Sequence, residues 1–338
     1  MPDKPRLAII GGGISGAISA SRLQNNFDIT LFEKARGAGG RMSTRRAEPY
    51  QFDHGAQYFT ARSKDFQKFL KPHIQSGLVQ DWQAKIMTLG KNQKPYKRDW
   101  FEPHYVCAPK MNSLCKHLLA DIRTHFSIEI VALQRTDQQW ILEDKTGDHF
   151  GPFDWVIMSV PSHQAINLLP QGFEYYDAVR DVKMSGCYSV MLGFENRPQL
   201  NWDIALPKNS LIGWIAVNSS KPGRETAPSI LIQTTNDWAE QHLERDVQDV
   251  EDLISREFCE LTGITHTNIA HKQAQRWRYA NTPRPASEEF FLDRELNIGV
   301  CGDWCLEGRV ESAFLSADKL CKEILSSPHS SSALFSHA

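Results

Sequence analysis

The sequence predicts an α/β protein of two domains, one built on a parallel sheet and one on an antiparallel sheet. The apolar run Arg6–Ile10 leads directly into the glycine turn Gly11–Gly16, and a second apolar run, Ile29–Phe32, follows. This order of strand, turn, helix and strand is typical of the start of a parallel sheet covered by helices. A chain of 338 residues has room for a second domain. Three later segments alternate or run apolar and predict its antiparallel strands: Cys187–Phe194, Leu211–Asn218 and Ile230–Thr235.

The glycine turn has the spacing of a dinucleotide-binding motif. Gly11 allows the tight turn, Gly13 lets a pyrophosphate approach the helix N-terminus, and Gly16 lets the helix pack on the strand. Glu33 ends the second apolar run, where a carboxylate can accept hydrogen bonds from ribose hydroxyls. A lone glycine turn also occurs in ordinary α/β proteins, but the ordered elements up to Glu33 favour nucleotide binding. The predicted contacts of this stretch are Gly11, Gly13, Ile14, Ser15, Gly16, Glu33 and Lys34.

Two further segments indicate, by resemblance, which dinucleotide binds. Gly39-Gly40-Arg41-Met42 resembles the extended fingerprint of flavin-dependent amine oxidases, in which the arginine lies beside the FAD pyrophosphate. Phe52–Phe59 resembles the segment that passes along the isoalloxazine ring, and Gly302-Asp303 resembles the second FAD turn of that group. The helix predicted over Val310–Leu325 would face the flavin with its N-terminus. The FAD contacts that this resemblance adds are Gly40, Arg41, Met42, Gln57, Tyr58, Val131, Gly302, Asp303, Val310 and Glu311.

Five further sequence segments resemble, more specifically, the bacterial branch of the renalase family. The segments that carry it are AGGRMST at 38–44, GAQYF at 55–59, YVCAPKMNSLCKHLL at 105–119, SSKPGR at 219–224 and RWRYA at 276–280. The resemblance extends from about Arg6 to Leu325, and Lys110 departs from it, because relatives commonly have glycine in that turn. It implies a Rossmann-type FAD-binding domain and a second α+β substrate domain on an antiparallel sheet, of the amine oxidase or p-hydroxybenzoate hydroxylase kind.

The resemblance also implies an activity. Isomeric dihydro-NAD(P), reduced at the 2- or 6-position of the nicotinamide, would give hydride to flavin N5, and O2 would take the electrons to form H2O2. Loss of hydride from a dihydronicotinamide leaves an aromatic pyridinium and needs no general base, so no catalytic residue is assigned. A flavin amine oxidase or another small-molecule oxidase or desaturase is the alternative, and Lys183 and Lys221 are its unsupported lysine candidates. A non-catalytic flavin-binding protein is a third possibility.

Residues for the substrate are harder to choose. Each aromatic candidate is more often a core residue than a ligand contact; the candidates are Tyr58, Trp214, Trp277 and Tyr279, and the last two are preferred because they precede the return to the FAD-binding domain. In Ser219–Arg224, Lys221 and Arg224 flank a Pro-Gly turn and could receive a substrate phosphate, or the segment could be a solvated hairpin loop.

Composition limits the partners. A formal charge of -2 without a basic stripe argues against nucleic acid, and no apolar run is long enough to span a bilayer. Seven scattered cysteines indicate reduced thiols in the cytoplasm, and their spacing predicts no metal site. The motif around Cys187 only faintly resembles that of covalent flavoproteins and lies mid-chain, so we expect non-covalent FAD. The oligomeric state is not predicted.

The domains are expected to be discontinuous. The FAD-binding domain is predicted at 1–68, 101–161 and 273–325, and the substrate domain at 69–100 and 162–272, with a disordered tail at 326–338. The apolar spacing predicts helices at Met111–Phe126 and Leu243–Leu261, and strands at Ile128–Leu133, Trp140–Asp144 and Trp155–Val160.

Overall fold

The computed structural model describes residues 4–90, 93–224 and 227–326. Its strands are β1 (Arg6–Ile10), β2 (Asp28–Glu33), β3 (Thr44–Ala47), β4 (Tyr50–Asp53), β5 (Val79–Asp81), β6 (Ile86–Gly90), β7 (Gln93–Arg98), β8 (Tyr105–Cys107), β9 (Arg123–Phe126), β10 (Ile130–Thr136), β11 (Gln139–Asp144), β12 (His149–Phe153), β13 (Trp155–Met158), β14 (Ser185–Phe194), β15 (Ile204–Lys208), β16 (Ile212–Val217), β17 (Ser229–Thr234), β18 (Ile269–Asn281), β19 (Phe291–Asp293) and β20 (Ile298–Val300). Its α-helices are α1 (Ile14–Leu23), α2 (Lys64–Gln75), α3 (Ser113–Leu118), α4 (Ser162–Ala165), α5 (Tyr176–Arg180), α6 (Asn236–Gln241), α7 (Val247–Thr262) and α8 (Val310–Ser326). Short 3-10 helices lie at Gly40–Met42, Asn218–Ser220, His266–Asn268 and Asp303–Cys305.

The chain forms two compact units, each made of separate stretches. Among the described residues, the first unit contains 4–40, 115–183 and 283–326. The second contains 41–90, 93–114, 184–224 and 227–282. These bounds differ from the predicted domains, because 41–68 and 101–114 belong to the second unit and 162–183 to the first. Residues 273–282 also belong to the second unit, since β18 pairs with β14. The predicted tail lies outside the described residues, except for Ser326, the last residue of α8.

The first unit contains a six-stranded sheet in the order β19-β20-β13-β1-β2-β9. The pairs from β20 to β9 are parallel, and β19 joins antiparallel to β20. β1 and β13 are almost entirely buried, as expected of parallel strands with both faces covered. Helices α1 and α8 pack against each other beside this sheet, and β10, β11 and β12 form a separate antiparallel sheet. The predicted parallel-sheet domain is confirmed.

The second unit contains a seven-stranded sheet in the order β18-β14-β17-β16-β15-β6-β7. All its neighbouring strands are antiparallel except β15 and β6, which run parallel. Every residue of β14 is buried, and α7 packs on the sheet through Ile254 and Phe258. The predicted α+β domain on a largely antiparallel sheet is therefore confirmed.

One predicted element is wrong. The helix expected over Met111–Phe126 is limited to Ser113–Leu118, and Arg123–Phe126 instead forms the edge strand β9. β9 pairs in parallel with β2, from Thr30 opposite Arg123 to Glu33 opposite Phe126. The backbone hydrogen bonds of an open sheet edge outweigh the helical spacing of the apolar side chains.

The ends of α7 follow local capping chemistry. The Asp246 carboxylate accepts hydrogen bonds from Gln248 N and Asp249 N, so the helix begins four residues later than its apolar pattern suggests. Gly263 ends it with a φ of 73°, in the left-handed conformation that glycine adopts easily. Among the described helices, none combines the length and the apolar character needed to cross a membrane.

Candidate functional site

The glycine turn of the first unit connects β1 to α1. Gly11 has a φ of +109°, and its amide donates to Phe32 O at 2.8 Å. A Cβ on Gly16 would lie 2.0 Å from Gly11 O, so the packing of the protein itself requires glycine there. A Cβ on Gly13 would meet no atom within 4 Å, and no side chain caps α1 at this residue. The helix N-terminus is therefore open at Gly13, where an anionic group can approach its amides.

Glu33 is held beside this turn by backbone amides. Its Oε2 accepts from Gly12 N at 2.7 Å and its Oε1 accepts from Ala35 N at 2.8 Å. The side chain is buried, and each carboxylate oxygen keeps a second lone pair. The carboxylate is thus fixed in orientation and still able to accept hydrogen bonds from two hydroxyl groups.

The other predicted contacts of the first unit surround the turn or extend from it. Gly39 N donates to Gly12 O at 2.8 Å, and Gly40, with a φ of +51°, packs against Gly13 Cα. Ile14 and Ser15 are buried in α1, and Ser15 Oγ donates to Ala313 O in α8 at 3.1 Å. Lys34 and Val131 are different, since both are substantially exposed, Lys34 at 3.9 Å from Glu129 and Val131 on β10.

The second predicted turn also lies in the first unit. Gly302 N donates to Ser316 Oγ at 3.1 Å, and a Cβ on Gly302 would fall 2.5 Å from the indole nitrogen of Trp304. Asp303 is buried, as is Glu311 in the first turn of α8, which begins at Val310 as predicted. The structure therefore brings α1, α8 and both glycine turns into one unit.

Replacing Glu33 with glutamine tests this arrangement. An amide nitrogen would face one of the two backbone N–H donors, so we expect FAD affinity to fall about 10- to 100-fold, as when a hydrogen bond to a charged group is lost. Titrating the apoprotein with FAD measures the change. Glu323→Gln, whose side chain is 50% exposed on α8 of the same unit, is the matched control. Unchanged affinity in Glu33→Gln would show that Glu33 does not contact the nucleotide.

In the second unit, backbone contacts between Arg41 and Gly55 fix the first half of the segment Phe52–Phe59. Arg41 Nη1 donates to Ala280 O at 3.4 Å, and Met42 beside it is buried. Arg41 O accepts from Ala56 N at 2.8 Å, and a Cβ on Gly55 would lie 1.9 Å from that same oxygen. Only glycine fits at position 55, so the two chain segments are in direct backbone contact.

The same segment contributes Asp53 to a buried charge cluster, whose other members are Lys221 and Arg224. Asp53 Oδ2 accepts from Lys221 Nζ at 3.2 Å and from Arg224 Nη2 at 2.6 Å, and these side chains are at most 1% exposed. Burial alone would raise the pKa of Asp53, but the two cations and the Thr44 hydroxyl lower it to about 2. Burial lowers the pKa of Lys221 to about 8, against the opposing effect of Asp53.

This cluster corrects one expectation. Of the two alternatives for Ser219–Arg224, the solvated one is wrong, because Lys221 and Arg224 are buried and paired with Asp53, although the segment does connect the antiparallel strands β16 and β17. Their predicted role in binding a substrate phosphate is disfavoured for the same reason, since a phosphate would have to enter a buried ion pair. Asp53 is not among the predicted site residues, although it lies in the segment Phe52–Phe59 and is the last residue of β4.

The aromatic candidates fall into two groups within the second unit. Tyr58 packs against Trp214, with ring centroids 5.5 Å apart, and also against Trp100 at 5.1 Å and His104 at 4.3 Å. Burial lowers the pKa of His104 to about 4, so its imidazole is neutral near pH 7. Trp100 and His104 are further residues that sequence reasoning misses, and the aromatic density of DWFEPHY is their only signal.

The second aromatic group surrounds His54. Trp277 Nε1 donates to His54 O at 2.8 Å, and the two rings lie 5.1 Å apart. Tyr279 follows two residues later on β18, in the stretch between Trp277 and Asn281 where the pairing with β14 is irregular. Burial and the nearby Arg45 lower the pKa of His54 to about 4. The structure thus places Tyr58 and Trp214 together, and Trp277 with His54.

The fold and the glycine turns, together with the family model that matches residues 102–325, define the class of protein: an FAD-dependent oxidoreductase. The residues present fit the cofactor, because Gly13 leaves the helix N-terminus open and Glu33 is fixed beside it. The chain belongs to the flavin containing amine oxidoreductase family, whose sequence model matches residues 102–325. A model described as an NAD(P)-binding Rossmann-like domain matches residues 9–72. In the parts of the chain that the structure describes, no three His, Cys, Asp or Glu side chains are grouped as metal ligands.

Individual proteins are similar to this chain over different lengths. Renalase from Mus musculus is 24% identical over 312 residues, which cover 84% of this chain and 87% of that protein. A 4,4'-diapophytoene desaturase from Staphylococcus aureus is 29% identical over 77 residues, 20% of this chain and 15% of that enzyme. The chain is renalase-like at this low identity.

Solved structures share the fold. A candidate protoporphyrinogen oxidase from Exiguobacterium sp. 255-15 has a TM-score of 0.76 at 12% identity, with 96% of this chain and 99% of that chain covered. Putrescine oxidase with bound putrescine has a TM-score of 0.71 at 10% identity, with coverage of 96% and 99%. At such identities the likeness shows the fold alone.

Proposed function

We propose that the chain oxidises isomeric dihydronicotinamide dinucleotides. The balanced reaction is 2- or 6-dihydro-NAD(P) + H⁺ + O2 → NAD(P)⁺ + H2O2. FAD, when bound, supplies the two-electron acceptor and the route to O2. The remaining tasks belong to the protein: it binds the dinucleotide, orients the reduced ring and keeps water away from it.

The cofactor contacts are part of this proposal. In the first unit we propose Gly11, Gly13, Ile14, Ser15, Gly16, Glu33, Lys34, Gly40, Val131, Gly302, Asp303, Val310 and Glu311. In the second unit the resemblance supports Arg41, Met42, Gln57 and Tyr58. We propose that FAD is held without a covalent bond, which the state of Cys187 supports. That thiol is buried on β14, and burial raises its pKa to about 11, so it is a poor nucleophile.

One observation carries the choice of substrate. The ionisable side chains Asp53 and His54, in the segment Phe52–Phe59, are poor proton acceptors. Asp53 already accepts from Lys221, Arg224 and Thr44, and with a pKa of about 2 it does not take up a proton near neutral pH. The ring nitrogens of His54 contact the backbone and hydroxyl of Ser43 at 3.2 and 3.5 Å. A dihydronicotinamide loses hydride without losing a proton, so it needs no base here.

The aromatic cluster of Tyr58, Trp100, His104 and Trp214 supports the same substrate. Three large rings and a neutral imidazole offer flat, uncharged ring surfaces for a nicotinamide ring. Amine oxidation is the second candidate, favoured by the family and by the fold shared with putrescine oxidase. Its lysine candidates are weak, because Lys183 is exposed and Lys221 is paired with Asp53.

Anaerobic reduction of the purified holoenzyme tests the proposal. The flavin absorbance is followed after mixing with 2-dihydro-NAD, 6-dihydro-NAD, ordinary NADH or a panel of amines. We expect rapid bleaching by the two isomers and slow or no bleaching by NADH, which presents the same dinucleotide with its hydride at C4. Bleaching by amines alone would overturn the proposal in favour of amine oxidation. No bleaching by any reductant would indicate a flavin-binding protein without turnover.

A further inference from the structure

We propose that Lys221 is a positioning residue that acts through Gln57 and Asp53 to fix the segment Asp53–Tyr58. This inference rests on the flavoenzyme class of the chain and on the flavin-contact role proposed for Gln57 and Tyr58. It does not depend on which substrate is oxidised.

The Lys221 ammonium has all its neighbours inside the protein. Nζ donates to Asp53 Oδ2 at 3.2 Å and to Gln57 Oε1 at 3.1 Å, and it lies 5.3 Å from the ring centroid of Trp82. Three N–H groups can be matched with these three neighbours, two oxygens and one aromatic face. Since the side chain is 0% exposed, Lys221 affects bound molecules through Asp53 and Gln57.

The hydrogen bond to Gln57 sets the orientation of that side chain. Because Gln57 Oε1 accepts from Lys221, Nε2 is directed to the backbone, where it donates to Asp53 O at 2.5 Å and Gly55 O at 2.9 Å. Both carbonyls belong to the segment Asp53–Tyr58, which also contains Gln57. Without Lys221, Oε1 would be a buried acceptor without its donor, and the amide would lose its fixed orientation.

Lys221 belongs to a loop that holds the same segment in several places. Asn218 Oδ1 accepts from Asp53 N at 3.1 Å, and Asn218 Nδ2 donates to Gln51 O at 2.9 Å. Arg224 pairs with the Asp53 carboxylate at 2.6 Å. A residue outside this loop also holds the segment, because Gln233 Nε2 on β17 donates to Gly55 O at 2.9 Å. Lys221 is therefore the member of this loop that reaches the segment beyond Asp53.

Stability alone is a poor explanation for this lysine. Lys221 and Arg224 share one carboxylate, so the cluster buries two cations against one anion. The desolvation of buried charges is costly, and apolar residues of similar volume often stabilise a protein as well or better. What an apolar residue could not supply is the directional pair of hydrogen bonds that fixes Gln57 and Asp53.

Lys221→Met is the test, because methionine is similar in length and removes both the donor and the charge. The holoenzyme is reduced anaerobically by whichever of the dihydro-NAD isomers or amines reduces the wild type fastest. We expect the rate of flavin reduction to fall about 10- to 100-fold, as expected for misplaced groups, with little change in apparent substrate affinity. Lys208→Met, an exposed lysine of the same unit, should leave both quantities unchanged.

A second readout does not depend on activity. Hydrogen exchange of the amides in residues 53–58 should accelerate about tenfold or more in Lys221→Met, while β14 stays protected. The midpoint of urea unfolding should show that Lys221→Met is fully folded under the conditions of both measurements. Wild-type exchange in 53–58 would overturn the proposal, and so would a loss of activity that only follows a general loss of stability.

A double-mutant cycle identifies the route. If Lys221 acts through Gln57, the double variant Lys221→Met/Gln57→Met should reduce flavin no more slowly than the worse single variant. Additive losses would show that the two residues act independently and would contradict the proposal. Should Lys221→Met fail to fold, Lys221→Gln, which keeps an amide donor, enters the same cycle and the same exchange measurement.

Discussion

Replacing Asp53 with asparagine should lower the free energy of unfolding by about 3–5 kcal/mol, the cost of breaking a buried ion pair from one side. Asp53 Oδ2 lies 3.2 Å from Lys221 Nζ and 2.6 Å from Arg224 Nη2. Asparagine would leave both cations buried without an anion and would direct an amide nitrogen at Thr44 Oγ1, at Met111 N or at the cations. Urea unfolding of both proteins at pH 7 measures the difference.

The pH dependence of this difference provides a control. The pKa of Asp53 is lowered to about 2 in the folded protein, below its ordinary value of about 3.9. A lowered pKa means that the ionised carboxylate stabilises the fold above about pH 4 and that this contribution is lost as the pH falls toward 2. The gap between wild type and Asp53→Asn should therefore narrow between pH 4 and pH 3. A gap that stays constant with pH, or one below about 1 kcal/mol at pH 7, would contradict the ion-pair account.

The nucleotide-binding part of the first unit can be predicted from sequence because its motif residues lie close together along the chain. Gly11, Gly13 and Gly16 lie within one turn, and Glu33 ends the next strand, so a short stretch of sequence contains the whole β1–α1–β2 arrangement. The start of α8 and the strands β14, β16 and β17 are also close to their predicted bounds, because each depends on a run of neighbouring residues.

Contacts between distant residues are what the sequence could not reveal. Lys221 lies 168 residues from Asp53, and a Lys-Pro-Gly turn with an arginine normally predicts a solvated loop. The helix predicted over Met111–Phe126 is lost to edge pairing with β2, a strand about 90 residues earlier. Trp100 and His104 meet Tyr58 and Trp214 only because β7, β8 and β16 are placed by the sheets of the second unit.

Alanine at Gly13 and at Gly16 should separate the needs of the ligand from those of the fold. A Cβ on Gly13 meets no protein atom within 4 Å, and its φ of -75° is ordinary for alanine. We therefore expect Gly13→Ala to change the stability of the apoprotein by no more than about 1 kcal/mol. The same methyl group would stand where a pyrophosphate approaches the helix N-terminus, so FAD affinity should fall on the order of 100-fold.

Gly16→Ala should act on the fold first. Its Cβ would lie 2.0 Å from Gly11 O and 2.6 Å from Ser159 Oγ, so β1 and α1 would have to separate. We expect a loss of about 3 kcal/mol or more in the apoprotein, at the upper end of overpacking effects, and a loss of FAD binding that follows from it. Gly37→Ala, which meets no atom within 4 Å at an ordinary φ, is the control for adding a methyl group.

Urea unfolding of the three apoproteins and titration of each with FAD give the two quantities needed. The expected pattern is weak FAD binding with normal stability for Gly13→Ala, loss of both for Gly16→Ala, and neither change for Gly37→Ala. Normal FAD affinity in Gly13→Ala would place the pyrophosphate away from this turn, because no protein contact could then account for a glycine at that position. A stable Gly16→Ala apoprotein would show instead that β1 and α1 can move apart. The glycine at position 16 would then be explained by FAD binding rather than by the packing of the fold.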